Sequence, residues 1–160
     1  MAAAGQIDSR VMGHGLYFEE FGVGMRFSTV GRTVTEVDII NFVGVTGMNE
    51  ILFTNYEYQK TALLSGRVAP GALIYAMAEG LVLTPTAQYT GLAFLEMHLK
   101  LERPVCALDT IHVQCEVVEA RRTKTPGRGI VKTVNHVVNQ RDEVVMIYSP
   151  VRMWKTRAAT

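Results

Sequence analysis

The 160-residue sequence predicts an α+β fold in which an antiparallel β-sheet wraps around one long buried helix. Two observations carry this. The first is the run Ala72 to Val82, Ala-Leu-Ile-Tyr-Ala-Met-Ala-Glu-Gly-Leu-Val, which is apolar nearly all round. A surface helix would show a polar face, so this one belongs in a core. The second is the change of period behind it. Leu95, Met97, Leu99 and Leu101 alternate with Glu96, His98, Lys100 and Glu102, and Ile111, Val113, Cys115 and Val117 alternate with His112, Gln114 and Glu116. A period of two marks half-buried antiparallel strands.

The elements follow in order. Residues 1–15 are short, polar and rich in Gly and Ala, and are expected to form a flexible N-terminal arm ahead of a domain over 16–156. They lack the basic and apolar regions of a signal peptide. Tyr17 to Arg32 reads as a lead-in loop and a first strand around Met25 to Val30. Thr35 begins a helix, with Asp38 three residues on as a capping-box partner. Val37, Ile40 and Val43 or Gly44 supply its apolar stripe, which Ile39 and Phe42 broaden, and Gly47 ends it in a left-handed cap. Pro70 opens the second helix, where its missing N–H costs nothing, and Pro85 is expected to stop it. Two more strands are expected at roughly 130–139 and 144–154, joined by a tight turn at Gln140 to Glu143, with Pro150 marking a bulge or an edge.

Bulk properties exclude several classes. Hydrophobic residues make up 48% of the chain, which is ample for the core of one domain. A formal net charge of +1 gives no signal for nucleic acid or a membrane surface, and no apolar run reaches the ~18 residues of a membrane span. With no export signal, Cys106 and Cys115 read as reduced core thiols rather than a disulfide, and the expected location is cytoplasmic. His14, His98, His112 and His136 are scattered without metal-ligand spacing, so no metal is expected. No phosphate loop or dinucleotide fingerprint appears.

Three motifs then stand out. Gly47-Met48-Asn49-Glu50-Ile51-Leu52-Phe53-Thr54-Asn55, read with Gly66-Arg67-Val68-Ala69-Pro70-Gly71, resembles the active-site segment of MaoC-like (R)-specific enoyl-CoA hydratases. Tyr17-Phe18-Glu19-Glu20-Phe21 with Val23-Gly24 resembles that family's opening, and Arg103-Pro104-Val105 with Asp109-Thr110 its strand-to-strand turn. The resemblance covers Tyr17 to Trp154. It implies a hot-dog fold that usually dimerises, with an acyl-CoA site at the subunit interface.

In the family the segment reads Gly-Asp-x-Asn-Pro-x-His-x-Asp, and its Asp and His act on a water that adds to an enoyl thioester. Here Met48 stands at the Asp, Glu50 at the Asn, Phe53 at the His and Asn55 at the second Asp. Neither Met48 nor Phe53 can move a proton, so the dyad does not carry over. Met48, Phe53 and Asn55 remain as expected substrate-pocket positions. Gly71 does match, and the resemblance implies that its backbone N–H binds the thioester carbonyl. The physics agrees, because glycine allows close approach and a helix N-terminus favours a developing oxyanion; Pro70-Gly71 also reads simply as a helix start.

Replacement chemistry has two candidates. Glu79 is the only charge between Gly71 and Leu83, and a desolvated carboxylate can serve as a general acid or base. It reads equally as a residue at a wet helix end or as the partner of a base such as Arg67. Glu50 sits on the frame of the lost dyad and reads as a water-activating carboxylate or as a solvated loop residue. Met77 and Met97, with Met48 and Phe53, suit a soft apolar pocket or ordinary packing. Tyr56 and Tyr58 read as packing or surface residues. The basic stretch Arg121 to Arg128 reads as a hairpin loop, solvated or holding CoA phosphates.

The expected function is therefore an acyl-CoA binding protein of enoyl-CoA hydratase or dehydratase type with a non-standard site, acting as a homodimer. No cofactor is expected beyond the CoA thioester itself, and neither nucleic acid nor membrane as a partner. The alternatives are an inactive subunit completing a partner's site and an acyl-CoA thioesterase. Release of free CoA thiol separates the thioesterase from a hydratase.

Overall fold

The computed structural model describes residues 11–61 and 66–157. Residues 1–10 of the expected arm lie outside the described residues. Gly15 and Leu16 already hydrogen-bond to Gln88 and Thr86 at 2.9 and 2.8 Å.

Helix α1, Glu36–Thr46, starts as its sequence predicts. Thr35 Oγ1 accepts the Asp38 N–H, and the Asp38 carboxylate accepts the Thr35 N–H in return. Gly47 closes it in the left-handed region at φ 71°. The buried stripe differs from the predicted one. Ile39 and Val43 are buried and Phe42 half-buried, whereas Val37 and Ile40 face solvent. Only one side of α1 meets the core, and the extra apolar residues lie outside that arc. Two short helices follow, α2 at Ile51–Thr54 and α3 at Tyr56–Thr61.

Helix α4, Gly71–Thr86, fills the core through Leu73, Ile74, Met77, Ala78 and Val82. It runs past Pro85, which sits in its last turn, where few backbone bonds remain to be broken. The Thr84 and Thr86 hydroxyls bond back to the Gly80 and Val82 carbonyls there. A ridge of small residues, Ala72, Ala76 and Gly80 with Thr84, stays exposed.

The sheet is antiparallel throughout, in the order β1-β4-β5-β6-β3. Its strands are β1 Arg26–Ser28, β2 Arg32–Thr33 (pairing with β4), β3 Gly91–Leu101, β4 Thr110–Arg122, β5 Arg128–Asn139 and β6 Val144–Lys155. The main core lies between α4 and the inward residues of β4, β5 and β6, among them Ile111, Val113, Val137, Val145 and Tyr148. A second cluster of Phe18, Phe21, Val117, Val131 and Trp154 closes the far end.

Two strand expectations need correction. Pro150 marks neither an edge nor a bulge: β6 lies between β5 and β3, and its ladder to β5 lapses opposite Thr133 and Val134 without a shift of register. A missing N–H is tolerated where the pairing already opens. On β3, Met97 and Leu99 pack on the core as their period predicts, but Leu95 and Leu101 are exposed. A register shift between Phe94 and Glu96 interrupts the alternation at Leu95. Among the described residues, no helix is long and apolar enough to cross a membrane.

Candidate functional site

The site starts from the lead-in to α4. Val68 bridges Cys106, the Ala69 N–H donates to the Val105 carbonyl, and the Ala107 N–H donates to the Arg67 carbonyl. Residues 66–71 are thereby zipped onto the Arg103 to Asp109 loop. Asp109 anchors that loop by accepting from the Cys106 N–H, Gln140 Nε2 and Arg141 Nη1 at 2.7 to 3.0 Å. Burial pushes its carboxyl up, but these donors and the Arg141 charge together hold it below the usual range.

Pro70 caps α4, and its carbonyl accepts from the Leu73 and Ile74 N–H groups. The Gly71 N–H, at the positive end of the buried helix, meets no acceptor among the described residues. A Cβ on Gly71 would stand 2.7 Å from Leu101 Cδ1, so a larger residue here would push the Leu101 side chain aside. Leu101 and the Gly71 N–H together define one wall of the candidate site.

The frame of the family dyad is placed differently from a ready catalytic pair. Phe53 is buried in the main core. Met48 is half in solvent at 36% exposure. Asn55 is exposed, and its Oδ1 accepts the Glu57 and Tyr58 N–H groups to start α3. Glu50 is exposed at the N-cap of α2; its backbone carbonyl accepts from the Phe53 N–H and the Thr54 hydroxyl, and its carboxylate has no partner among the described residues.

Glu79 lies eight residues beyond Gly71, about 12 Å along the helix axis. Both its oxygens accept from Arg152 Nη2, with only 12% and 8% of the two side chains exposed. The residue pairs with a base, but not with Arg67. Arg67 lies 2.9 Å from Glu36 with its Nε off the hydrogen-bond line, and its guanidinium covers the Tyr56 ring at 4.6 Å. Tyr56 donates its hydroxyl to Glu36, and that bond raises its pKa. Beside Glu79, burial and the carboxylate charge push the Tyr75 hydroxyl up. Tyr75 meets the Tyr148 ring edge-on at 5.5 Å. Tyr148 is raised chiefly by its own burial, and burial pushes Cys115 up to about 12. Neither of the last two supplies an anion near neutral pH.

The structure therefore does not bring Glu50 and Glu79 together: one faces water and the other is locked in the interior. Arg121 and Arg122 pair with Glu119 and Glu19, His14 stacks on Tyr89, and His112 and His136 sit half-exposed with Gln114 nearby. Cys115 is a buried free thiol, and Cys106 is half-buried. Sequence reasoning missed Arg152 and Leu101. Arg152 had a signal, since it is the one charge on the register Met146, Tyr148, Pro150, Arg152, Trp154. Two lone opposite charges on faces destined for one core predict each other.

A model of the MaoC like domain matches residues 20–140. The chain belongs to the MaoC-like domain family. A MaoC-like dehydratase from Rhodospirillum rubrum superimposes on this MaoC-like chain with a TM-score of 0.80 and 28% identity, over 91% of this chain and 100% of that one. An unliganded R-hydratase from Pseudomonas aeruginosa gives 0.75 at 24% identity, covering 89% and 88%. A Mycobacterium tuberculosis protein with a double hot-dog fold gives 0.83 at 20% identity, covering 91% of this chain and 46% of that one. The last two speak to the fold alone, and the fold is a hot-dog. No curated protein matches the chain.

Proposed function

We propose that this MaoC-like chain binds an acyl-CoA or related acyl thioester with the thioester carbonyl on the Gly71 N–H. The reaction type is that of an enoyl-CoA hydratase or dehydratase. The observation that carries this is the unaccepted N–H at the start of the buried α4, on a glycine that Leu101 closely overhangs. A preorganised donor at a helix N-terminus is suited to a carbonyl that gains charge in the transition state.

Water addition needs a base for the water and an acid for the α-carbon. Met48 and Phe53 offer neither, and Glu79 is both paired and about 12 Å away along α4. Glu50 is the carboxylate on the family frame that has no partner among the described residues, and we assign the proton transfers to it. The second reading is a non-catalytic subunit completing a partner's site. It is favoured by one observation, that the altered positions 53 and 55 have both acquired structural duties.

We further propose a homodimer joined through β3. This 11-residue edge strand exposes Leu92, Phe94, Leu95 and Leu101 by 42 to 53%, and an apolar edge of that length invites a second strand. At the level of fold, the double hot-dog protein, of which this chain spans about half, shows two such units in one protein. The proposal calls on no metal or organic cofactor, nucleic acid or membrane, and places the chain in the cytoplasm.

The test is mass analysis of enoyl-CoA and saturated acyl-CoA thioesters incubated with the protein. The expected result is a gain of one water on enoyl substrates, lost in Glu50→Gln, with thioester affinity weakened at least tenfold in Gly71→Ala. Thioesters that bind without changing mass would establish the non-catalytic reading, and loss of the acyl group would make the protein a thioesterase.

A further inference from the structure

We propose that the groove floored by Glu79 and Arg152 is the acyl-chain subsite, and that it selects an acyl group carrying a neutral acceptor oxygen, a keto or hydroxyl group, toward its far end. The inference rests on the reading that the thioester carbonyl sits at Gly71.

Gly71, Tyr75, Glu79, Leu83 and Ala87 follow one another in steps of four, so they form one ridge along α4 and just past its end. Between this ridge, the start of β3 and the end of β6 lies a groove of about 350 Å³. Tyr75, one turn from Gly71, is its first wall residue, and Leu92, Phe94 and Met153 add apolar surface. A chain anchored at Gly71 and following the ridge reaches Glu79 after about 12 Å.

The floor is not apolar. Glu79 engages Arg152 through Nη2 alone, leaving Nε and Nη1 without an acceptor among the described residues. The guanidinium stands 6.0 Å from the Phe94 ring. Trp154 also lines the groove, but its Nε1–H is enclosed and offers nothing to a ligand lying there. The guanidinium can only donate. A donor without a partner in an apolar groove is one that a ligand oxygen can satisfy and a methylene cannot. The charge balance narrows the choice. Glu79 already neutralises Arg152, so a ligand carboxylate would bring an unmatched negative charge into an apolar cleft. A hydroxyl or keto oxygen meets the donors without that penalty.

The experiment is calorimetric titration of the whole protein with decanoyl-CoA, terminally hydroxylated decanoyl-CoA and the terminal carboxylate analogue. The hydroxylated chain is expected to bind at least tenfold tighter than decanoyl-CoA, and the carboxylate no tighter than decanoyl-CoA. Glu79→Gln combined with Arg152→Met removes the pair without stranding a charge. The double variant is expected to lose most of the preference while decanoyl-CoA still binds. Equal affinities in the wild-type protein would overturn the inference without any variant needing to fold, as would a preference that survives the double substitution. Tightest binding of the carboxylate would replace it with charge recognition. If none of the three binds, the thioester reading itself falls and takes this inference with it. Binding of decanoyl-CoA without a preference removes the inference alone.

Discussion

Glu79 and Arg152 show how a single residue's meaning depends on its partner. Each is almost fully enclosed, and an ionised group so placed is tolerated only when paired and hydrogen-bonded. Removing one partner leaves a buried charge with nothing to balance it, an effect of about 3–5 kcal/mol, whereas replacing both with apolar groups of similar size is often neutral. Glu79→Met and Arg152→Met are therefore each expected to lower unfolding free energy by about that amount, and the double substitution by much less. Urea denaturation of the four proteins measures the coupling, and additive losses would show that the pair is not a unit. At this scale the sequence was legible for Glu79, whose lone charge on an apolar helix called for a basic partner, though not for which one. It was illegible for Phe53 and Asn55, because packing into a core and capping a helix leave no mark that distinguishes them from lining a pocket.

Among the elements, α1 is the one whose start can be titrated. The Thr35 hydroxyl and N–H bond the Asp38 carboxylate and hold its pKa below the usual carboxylate range, despite some burial. Arg32 also contacts it, but from an exposed position that adds little. Because the folded-state pKa is depressed, the stabilisation is fully present above the unfolded value of about 3.9 and is lost as pH falls through the folded value. Asp38→Asn is expected to lower stability by about 1 kcal/mol at neutral pH. Thermal melts should show that deficit shrinking toward about pH 3; a constant deficit would mean that the carboxylate's charge is not what the cap uses. The cap was readable because it is a local pattern spanning four residues, Thr35 to Asp38. The buried side of α1 was not, since Val37, Ile39, Ile40 and Phe42 are all apolar and periodicity alone does not say which arc meets α4 and the sheet.

For the whole molecule, the exposed β3 edge is the feature that most wants a partner. Leu95→Lys places a charge mid-strand at a position already 46% exposed, so the monomer fold should survive. Sedimentation is expected to show a dimer for the natural protein and a monomer for the variant, with an unchanged circular dichroism spectrum. A dimer that persists in the variant would move the interface away from β3. Hydratase turnover should fall with dissociation if the site is completed across the interface.

What the sequence determined by itself was the architecture: a helix too apolar for a surface, strands of period two behind it, and local stop and start signals that set their order. Those are properties of neighbours along the chain. The tertiary structure alone decided which charges meet, which apolar faces are covered, and that positions 50 and 79 do not share a site. Arg152 is 73 residues from Glu79, and Leu101 reaches Gly71 only because β3 folds back along α4. Such meetings depend on register and on the side from which a strand approaches, and at those distances along the chain no periodicity encodes them.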